Sequence, residues 1–263
     1  RASGWAGELI GEENDTLDSS RAIEMLKQPE TLEGDLRAYQ LSGLSWLAFL
    51  DRLGLGGCLA DDMGLGKTIQ LISLLLHERR DGMRPAPTLV VAPTSVVGNW
   101  RKEAKKFAPE LTTFVHHGPE RATGETFTAN ASAADLVITT YALAHRDFET
   151  LSSITWKRVC LDEAQNIKNP SSKQSQSVRG LPAERRVALT GTPVENRLTE
   201  LWSIMEFLNP GYLGSAARFR RKFSLPVERR RDVQRTRQLR RLVQPFILRR
   251  LKTDPTVVPD LPK

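Results

Sequence analysis

The chain has 263 residues, 40% of them hydrophobic, and a formal net charge of +7 at pH 7. This length and composition allow a sizeable core in one large domain or two small ones. No apolar run approaches the roughly 20 residues of a membrane-spanning helix, and the N-terminus lacks a hydrophobic signal segment. We therefore expect a soluble intracellular protein without a membrane partner. Cys58 and Cys160 lie in apolar segments, where small buried residues are expected rather than metal ligands or a disulfide.

The charge is distributed unevenly along the chain. Residues 1–35 contain three basic and nine acidic side chains, whereas residues 218–252 contain fourteen basic and two acidic ones. This basic segment is typical of a phosphate-binding surface for nucleic acid. A solvated helix face or a site for an acidic partner element explains the same charge. Both interpretations stay open for its arginines, which include Arg229, Arg230, Arg231, Arg235, Arg237, Arg240, Arg241, Arg249 and Arg250.

The first predicted elements are helical. Leu17–Lys27 has a helical stripe and is either a short helix that packs on the next domain or the tail of a longer upstream domain. Asp35 is a plausible N-cap for a second helix. Its apolar stripe has the 3.6-residue period and consists of Leu36, Tyr39, Gly43, Leu47 and Leu50.

A glycine-rich turn at Asp61–Thr68 predicts a phosphate-binding loop. Gly64 and Gly66 permit positive φ angles, which bring several N–H groups toward one anion. Lys67 adds a mobile positive charge for the β and γ phosphates, and Thr68 offers a hydroxyl to magnesium. The sequence thus indicates a nucleotide site with a bound Mg²⁺.

The sequence on either side of this loop fits the motif, with one departure. An apolar strand is predicted at Leu55–Ala60 and a helix at Ile69–Glu78, so the loop opens a helix whose N-terminus favours phosphate. The strict pattern requires glycine at the first position, where this chain has Asp61. On its own, the loop is equally compatible with a strand-to-helix turn that binds no ligand.

Strands and helices alternate from the first strand to about residue 196. Unalternating apolar strands of this kind predict a parallel sheet with helices on both faces and ligands at the carboxyl ends of the strands. A helix is predicted at Val97–Phe107, and surface loops at Gly82–Pro87 and Pro119–Ala134. After residue 196 the chain is predicted to be helical and rich in arginine. The remaining strands are expected at Thr88–Ala92, Thr112–His116, Asp135–Thr140, Lys157–Leu161 and Arg186–Thr190.

Two more polar motifs follow predicted strands. Asp162 is placed to hold magnesium, and Glu163 to orient or deprotonate an attacking water; two such carboxylates can also form the N-terminal cap of a helix. Thr190 and Thr192 can hydrogen-bond across the same site, and Thr192 followed by Pro193 is also an ordinary helix start. Three strand-end motifs in this order predict a nucleotide hydrolase.

The motif series resembles the SWI/SNF-type helicase-like ATPases, superfamily two DNA translocases. Asp61 is common in that family, and Gln165 is similar to its bacterial and archaeal branch. The resemblance covers residues 36–263. The matching segments are Leu36–Leu47, Ala60–Thr68, Ala92–Ser95 with Asn99 and Trp100, Thr139–Tyr141, Asp162–Gln165 with Lys168–Pro170, Leu189–Pro193, and Leu248–Lys252 leading to Asp260–Lys263.

The resemblance implies two RecA-like (P-loop NTPase) lobes with ATP and magnesium in the cleft between them, and translocation on double-stranded DNA. It implies catalytic roles for Lys67, Asp162, Glu163 and Gln165, with Thr68 and Asp162 as magnesium ligands. The implied ATP-binding residues are Gln40, which would contact adenine, and Asp62, Met63, Gly64, Leu65, Gly66, Lys67 and Thr68. The implied DNA-coupling or DNA-contacting residues are Thr94, Ser95, Thr139, Thr140, Thr190 and Thr192. For Thr94 and Ser95, helix capping is an equal alternative.

The resemblance also implies an organisation in three parts. These are an N-terminal segment at 1–34, a RecA-like lobe at 35–200, and a helical extension at 201–263 that starts the linker to a second lobe. That second lobe carries the arginines that complete the active site in the family. We expect this chain to be a fragment that binds nucleotide weakly and hydrolyses it poorly.

Three functions remain open at this level. The first is the ATPase lobe of a double-stranded DNA translocase or nucleoprotein remodeller, acting in the cytoplasm, on the nucleoid if the protein is bacterial or archaeal, with protein partners of unknown identity. The second is a helicase that separates strands of DNA or RNA, and the third is a nucleotide-gated binding module without useful turnover. Lys67, Thr68, Asp162 and Glu163 are all present and disfavour the third.

Overall fold

The computed structural model of the protein describes residues 23–79, 85–191, 197–255, 257 and 259. Within them, strands run along β1 (Gly57–Leu59), β2 (Thr88–Ala92), β3 (Thr113–Val115), β4 (Leu136–Thr140), β5 (Trp156–Asp162), β6 (Ala183–Leu189) and β7 (Ile247–Leu248). They form a seven-stranded sheet in the order β3-β4-β2-β5-β6-β1-β7. Every strand pairing in it is parallel, as the unalternating apolar strands predicted.

Helices connect these strands. The α-helices are α1 (Ala38–Arg52), α2 (Lys67–Glu78), α3 (Val97–Phe107), α4 (Gly124–Ser132), α5 (Tyr141–Arg146), α6 (Phe148–Ser152), α7 (Lys173–Gly180), α8 (Leu198–Leu208), α9 (Ala216–Phe219), α10 (Leu225–Arg230) and α11 (Val233–Val243). Turns of 3-10 helix cover Thr94–Val96, Ala164–Ile167 and Gln244–Phe246, and a π-helical turn covers Arg220–Ser224. No helix in the described ranges combines the length and the apolar character that crossing a membrane requires.

The core has two halves, one on each face of the sheet. Alternate residues of one strand enter different halves: Val90 packs with α1, α2 and α3, whereas Leu89 and Val91 pack with α4 to α11. This arrangement confirms the predicted RecA-like α/β fold with helices on both faces. Cys58 and Cys160 are free and buried, as predicted.

Two local predictions were wrong, and one alternative for a third segment is contradicted in part. α1 begins at Ala38 rather than after Asp35, because the backbone N–H of Leu36 donates to Gln28 Oε1 at 2.7 Å and holds the chain outside the helix. The predicted loop at 119–134 contains α4, whose Phe127 is fully buried. Of the two alternatives for Leu17–Lys27, the helix does not extend over residues 23–27, where the N–H of Leu26 donates to the Ser45 hydroxyl at 3.0 Å. Residues 17–22 lie outside the described residues.

The prediction that strands end near residue 196 was also wrong. β7 pairs with β1, matching Cys58 with Ile247 and Leu59 with Leu248. Two residues carry too little periodicity to predict a strand, and only the pairing with β1 defines this one. The division of the chain at residues 34 and 200 stays a prediction.

Candidate functional site

The carboxyl ends of β1, β5 and β6 lie side by side at one edge of the sheet. Leu59 of β1 is in register with Leu189 of β6, and Leu189 is in register with Asp162 of β5. The three sequence motifs that follow these strands therefore converge on one place. This edge is where ligands gather in parallel α/β sheets.

The phosphate loop has the backbone conformation that its glycines were expected to supply. Gly64 has φ 86° and Gly66 has φ 78°, both left-handed, and Gly66 is the N-cap of α2. A Cβ at Gly66 would lie 2.3 Å from Nε2 of Gln40, so no larger side chain fits without displacing that amide. α2 runs for 12 residues, and its first-turn N–H groups open at the loop.

Some side chains of the loop are buried or hydrogen-bonded to the loop backbone, and others are exposed. Leu65 is fully buried, whereas Met63 is 74% exposed. The ammonium of Lys67 donates to the backbone carbonyls of Asp61 at 2.7 Å and Asp62 at 3.3 Å. Lys67 thus lies along the loop itself, where its charge is positioned for an anion that the loop encloses.

Gln40 reaches the loop from α1. Its side-chain Nε2 donates to the Leu65 carbonyl at 3.3 Å, and its Oε1 accepts from the Arg37 backbone N–H at 3.0 Å. The side chain is therefore held at both ends beside the phosphate loop. Its contact with adenine stays a prediction, to which this placement adds support.

Asp162 lies at the end of β5 with both carboxylate oxygens engaged. Oδ2 accepts from Trp100 Nε1 at 2.7 Å, and Oδ1 accepts from the Glu163 N–H at 3.0 Å. Burial raises the pKa of Asp162 above its usual value, and the nearby charge of Glu163 adds to this; the Trp100 bond and the charge of Lys67 act in the opposite direction. Tyr141 OH fixes the turn by donating to the Asp162 carbonyl at 2.7 Å.

Glu163 has a left-handed backbone, with φ 50° and ψ 57°. A non-glycine residue in this conformation is uncommon, and such residues cluster at functional sites. Gln165 Nε2 donates to Glu163 Oε2 at 2.7 Å, and the Thr190 hydroxyl donates to Gln165 Oε1 at 2.8 Å. A chain of hydrogen bonds therefore connects the end of β6 to Glu163. Thr192, predicted to share this role, lies outside the described residues.

Thr94 and Ser95 are exposed in the 3-10 turn after β2. The alternative that one of them caps a helix was wrong, because the two N-cap positions in this segment are Pro93 and Val96. Both residues are exposed at the edge of the sheet where β2 ends, the same edge as the phosphate loop. This exposure is consistent with the predicted contact to a phosphate backbone.

Thr139 and Thr140 are placed differently from Thr94. Thr139 is fully buried and donates to the His116 carbonyl at 3.1 Å. Thr140 is the N-cap of α5, and its hydroxyl accepts from the Leu143 N–H at 3.3 Å. Both hydroxyls support the end of β4, so any DNA contact by these side chains stays a prediction that the burial disfavours.

Comparison with known proteins identifies the family. A model described as the SNF2-related domain matches residues 39–263. The chain belongs to the SNF2-related domain family.

Several relatives share most of this SNF2-related domain. A putative ATP-dependent helicase/translocase, YwqA of Bacillus subtilis, is 52% identical over 94% of this chain and 27% of its own length. The ISWI chromatin-remodeling complex ATPase CHR11 of Arabidopsis thaliana is 40% identical over 94% of this chain and 24% of its own. The Sulfolobus solfataricus SWI2/SNF2 ATPase core, solved in complex with dsDNA, is 43% identical with a TM-score of 0.82, and the match covers 91% of this chain and 49% of that one. The domain spans about half of that core and about a quarter of the two longer relatives.

The sequence analysis named Arg250 only as an arginine of the basic segment and of the family motif at Leu248–Lys252, and did not predict that it is buried against Asp61. Arg250 follows β7, is 7% exposed, and binds the carboxylate of Asp61, which is fully buried. The available signal was Asp61 itself, because a carboxylate in an apolar strand end requires a cationic or hydrogen-bonding partner.

The basic segment of the domain forms a charged surface, here called the arginine surface. Its residues are exposed on α9, the π-helical turn, α10 with the residue that follows it, and α11; they are Arg218, Arg220, Arg221, Arg229, Arg230, Arg231, Arg235, Arg237 and Arg241. Their exposure agrees with all the interpretations of this segment, so its partner stays a prediction.

Proposed function

We propose that this SNF2-related domain is the ATP-binding lobe of an ATP-dependent double-stranded DNA translocase. The Bacillus relative is described as a putative ATP-dependent helicase/translocase, and one solved relative is an ATPase core in complex with dsDNA. The observation that carries the proposal is the hydrogen-bond chain from Thr190 through Gln165 to Glu163, beside the loop that holds Lys67. It connects the position of a water-activating carboxylate to a neighbouring strand end.

The roles of the chain's own residues follow from their placement. The α2 N-terminus and Lys67 bind the phosphates, since oriented N–H groups and a point charge both favour an anion. Glu163 takes the proton of the attacking water. Its hydrogen bond from Gln165 Nε2 sets the carboxylate orientation, so a displacement of Thr190 changes the direction in which Glu163 points.

The donor set fits magnesium. Mg²⁺ prefers oxygen ligands and is commonly held by one or two carboxylates together with substrate phosphates. Asp162 supplies a carboxylate whose two oxygens each retain a lone pair, and Thr68 supplies a hydroxyl in the first turn of α2. These two residues would hold the ion, which supplies charge neutralisation of the phosphates when bound.

The DNA-facing part of the proposal rests on Thr94 and Ser95, which are exposed at the same sheet edge as the nucleotide site. Backbone contacts of this kind position a protein on DNA without reading sequence. The arginine surface adds charge for phosphates, so binding is expected to weaken steeply with salt. We propose that the protein acts on DNA inside the cell, on the nucleoid if it is bacterial or archaeal, with protein partners still to be identified.

Hydrolysis at full rate is proposed to require a second RecA-like lobe, because this domain spans about half of the Sulfolobus core. An arginine that reaches the γ-phosphate contributes roughly 10³–10⁵ in rate in related phosphoryl transfers. The 263-residue chain should therefore bind nucleotide but turn it over slowly. DNA-stimulated turnover by this chain at the rate of the full-length protein would contradict the proposal.

The deciding experiment measures ATP turnover of the full-length protein with duplex DNA, single-stranded DNA and RNA at matched salt. Stimulation by duplex DNA without release of a strand supports the translocase. Stimulation by single strands or RNA, together with unwinding of a tailed duplex, supports a helicase instead, a term that also appears in the name of the Bacillus relative. Nucleotide binding without turnover would leave only a binding module.

A further inference from the structure

Asp61 occupies the position where the strict phosphate-loop pattern has glycine, and it is fully buried. An unpaired carboxylate at such a place is costly, because burial removes its hydration. Its two oxygens are instead bound by Arg250: Oδ1 accepts from the backbone N–H at 3.1 Å and from Nε at 2.9 Å, and Oδ2 accepts from the guanidinium NH2 group. The pair is a two-pronged ion pair, a geometry specific to arginine.

The same guanidinium reaches two helices. Its NH1 group donates to the Tyr39 carbonyl in α1, next to Gln40, and its NH2 group donates to Gln70 Oε1 in α2 at 2.8 Å. The ring of Tyr39 also lies 5.3 Å from the guanidinium carbon. Arg250 therefore connects the start of the phosphate loop to both helices that flank it.

Close approach of the backbone makes this connection possible. A Cβ at Gly43 of α1 would lie 1.9 Å from Gln70 Oε1 and 2.8 Å from the Arg250 NH2 group. The backbone after β7 adds two further bonds: the Asp62 N–H donates to the Arg250 carbonyl at 3.0 Å, and the Lys252 N–H donates to Asp62 Oδ2 at 3.0 Å. The first two residues of the loop are thus held by the segment that follows β7.

From this geometry we infer that Arg250 is a positioning residue for the phosphate loop. Its guanidinium contacts Asp61, Tyr39 and Gln70, so its effect on nucleotide binding acts through these residues. It fixes Asp61 and the neighbour of Gln40, and thereby sets the affinity of the loop for phosphates. The inference rests on the proposed nucleotide-binding function and adds to it a residue 189 positions away from Asp61 in the sequence.

A purely structural role would give a different result, and the domain offers a matched control. Arg158 is also buried and binds two carboxylates, donating to Asp51 Oδ1 at 2.5 Å and to Glu78 Oε1 at 2.7 Å. It lies near the amino end of β5, away from the phosphate loop. Replacement of either arginine by lysine keeps the charge and removes the planar fork, so both variants lose similar contacts.

The experiment measures the Kd of a fluorescent ADP derivative with magnesium for the 263-residue chain, at a temperature where each variant is folded. Arg250→Lys is expected to raise Kd about tenfold, equivalent to about 1.4 kcal/mol. Arg158→Lys is expected to change Kd less than about twofold, because sites that are far apart usually act independently. The two variants are expected to lower the melting temperature by similar amounts. Amide hydrogen exchange should increase at residues 61–66 in Arg250→Lys only.

Asp61→Asn keeps the size of the side chain and gives a second reading if Arg250→Lys does not fold. Asp61→Asn should raise Kd to an extent similar to that of Arg250→Lys. The Kd of the double variant should not exceed the larger of the two single-variant values, because both changes disrupt the same ion pair. Wild-type Kd in both single variants would overturn the inference, as would an equal rise of Kd in Arg158→Lys. If the unsubstituted chain does not bind the ADP derivative, or binds it equally after Lys67→Ala, the proposed function itself fails.

Discussion

Arg250 and Arg158 are both buried arginines that bind carboxylates, and they lie at opposite ends of the sheet. Arg158 joins β5 to the last turns of α1 and α2, where Asp51 and Glu78 lie. Arg250 joins the segment after β7 to the phosphate loop. Burial by itself lowers the pKa of Arg158, but the hydrogen bonds and charges of Glu78 and Asp51 outweigh it and raise that pKa.

The difference between the two ends is what surrounds the ion pairs. At the amino end, both partners are helix residues that contact no predicted ligand. At the carboxyl end, the partner is the first residue of the phosphate loop, whose carbonyl also accepts from Lys67 at 2.7 Å. The same chemistry thus stabilises the fold at one end and orders a binding site at the other. The following predictions separate these two uses.

The largest effect is expected at the carboxyl end, from Glu163→Gln. The amide retains an oxygen that accepts the hydrogen bond from Gln165, but it cannot take a proton from water. Turnover by the full-length protein should fall by roughly 10²–10⁴, the range of general base catalysis, while ATP is still bound. Unchanged turnover would remove Glu163 from the mechanism; Glu103→Gln, on half-buried Glu103 of α3, is the control.

The second largest effect is expected at the amino end of the sheet. Arg158→Met leaves Asp51 and Glu78 without their buried cation, and removal of one partner of a buried pair costs about 3–5 kcal/mol. Urea unfolding of the chain should show this loss, with nucleotide Kd unchanged in the folded variant. Arg101→Met, at an exposed position of α3, should leave the free energy of unfolding nearly unchanged. A shift in Kd for Arg158→Met would show that the two ends are not independent.

Lys67→Ala should act at the carboxyl end on binding alone. A hydrogen bond to a charged group contributes about 1.5–3 kcal/mol, so ADP affinity should fall about 10- to 100-fold. The free energy of unfolding should change little, because Lys67 is half-buried and bonds only to carbonyls of its own loop in the described residues. Lys102→Ala removes an exposed lysine of α3 and is the matched control; equal loss of affinity there would indicate a non-specific charge effect.

The smallest effect concerns a second ionic cluster at the carboxyl edge, where His116 lies 2.9 Å from Asp147 and Arg121 also binds Asp147. Burial lowers the pKa of His116 below 6.5, although Asp147 acts to raise it and Arg121 and His117 act to lower it further. As pH decreases, His116 therefore binds its proton at a higher pH in the unfolded chain than in the folded one. The free energy of unfolding should thus fall as pH decreases from about 6.5. The hydrogen bonds of Arg121 lower the pKa of Asp147, so this carboxylate adds a further loss as pH falls below 3.8.

Unfolding measured between pH 7.5 and 5.5 checks this cluster. His116→Gln should flatten the dependence over that range, because the substituted side chain does not titrate. His145→Gln, at an exposed histidine, is the control. If the free energy of unfolding of His116→Gln depends on pH as strongly as that of the unsubstituted chain, a group other than His116 causes the dependence.

The sequence predicted six of the strands and their order along the chain, because each is a local run of apolar residues between turns. It also predicted that the motifs after β1, β5 and β6 meet, since parallel strands place their carboxyl ends at one edge. It did not predict β7, whose two residues are a strand only because they pair with β1. Nor did it predict α4, where burial of Phe127 rather than local turn propensity decides the conformation.

The sequence by itself determined the family, the α/β fold and the residue types of the phosphate loop, because these depend on local spacing and on short motifs. The tertiary structure decided which polar residues are available. It buries Thr139 and Thr140 and exposes Thr94 and Ser95. It also brings Arg250 to Asp61 across 189 positions, a contact that no local pattern encodes because it depends on the path of the whole sheet.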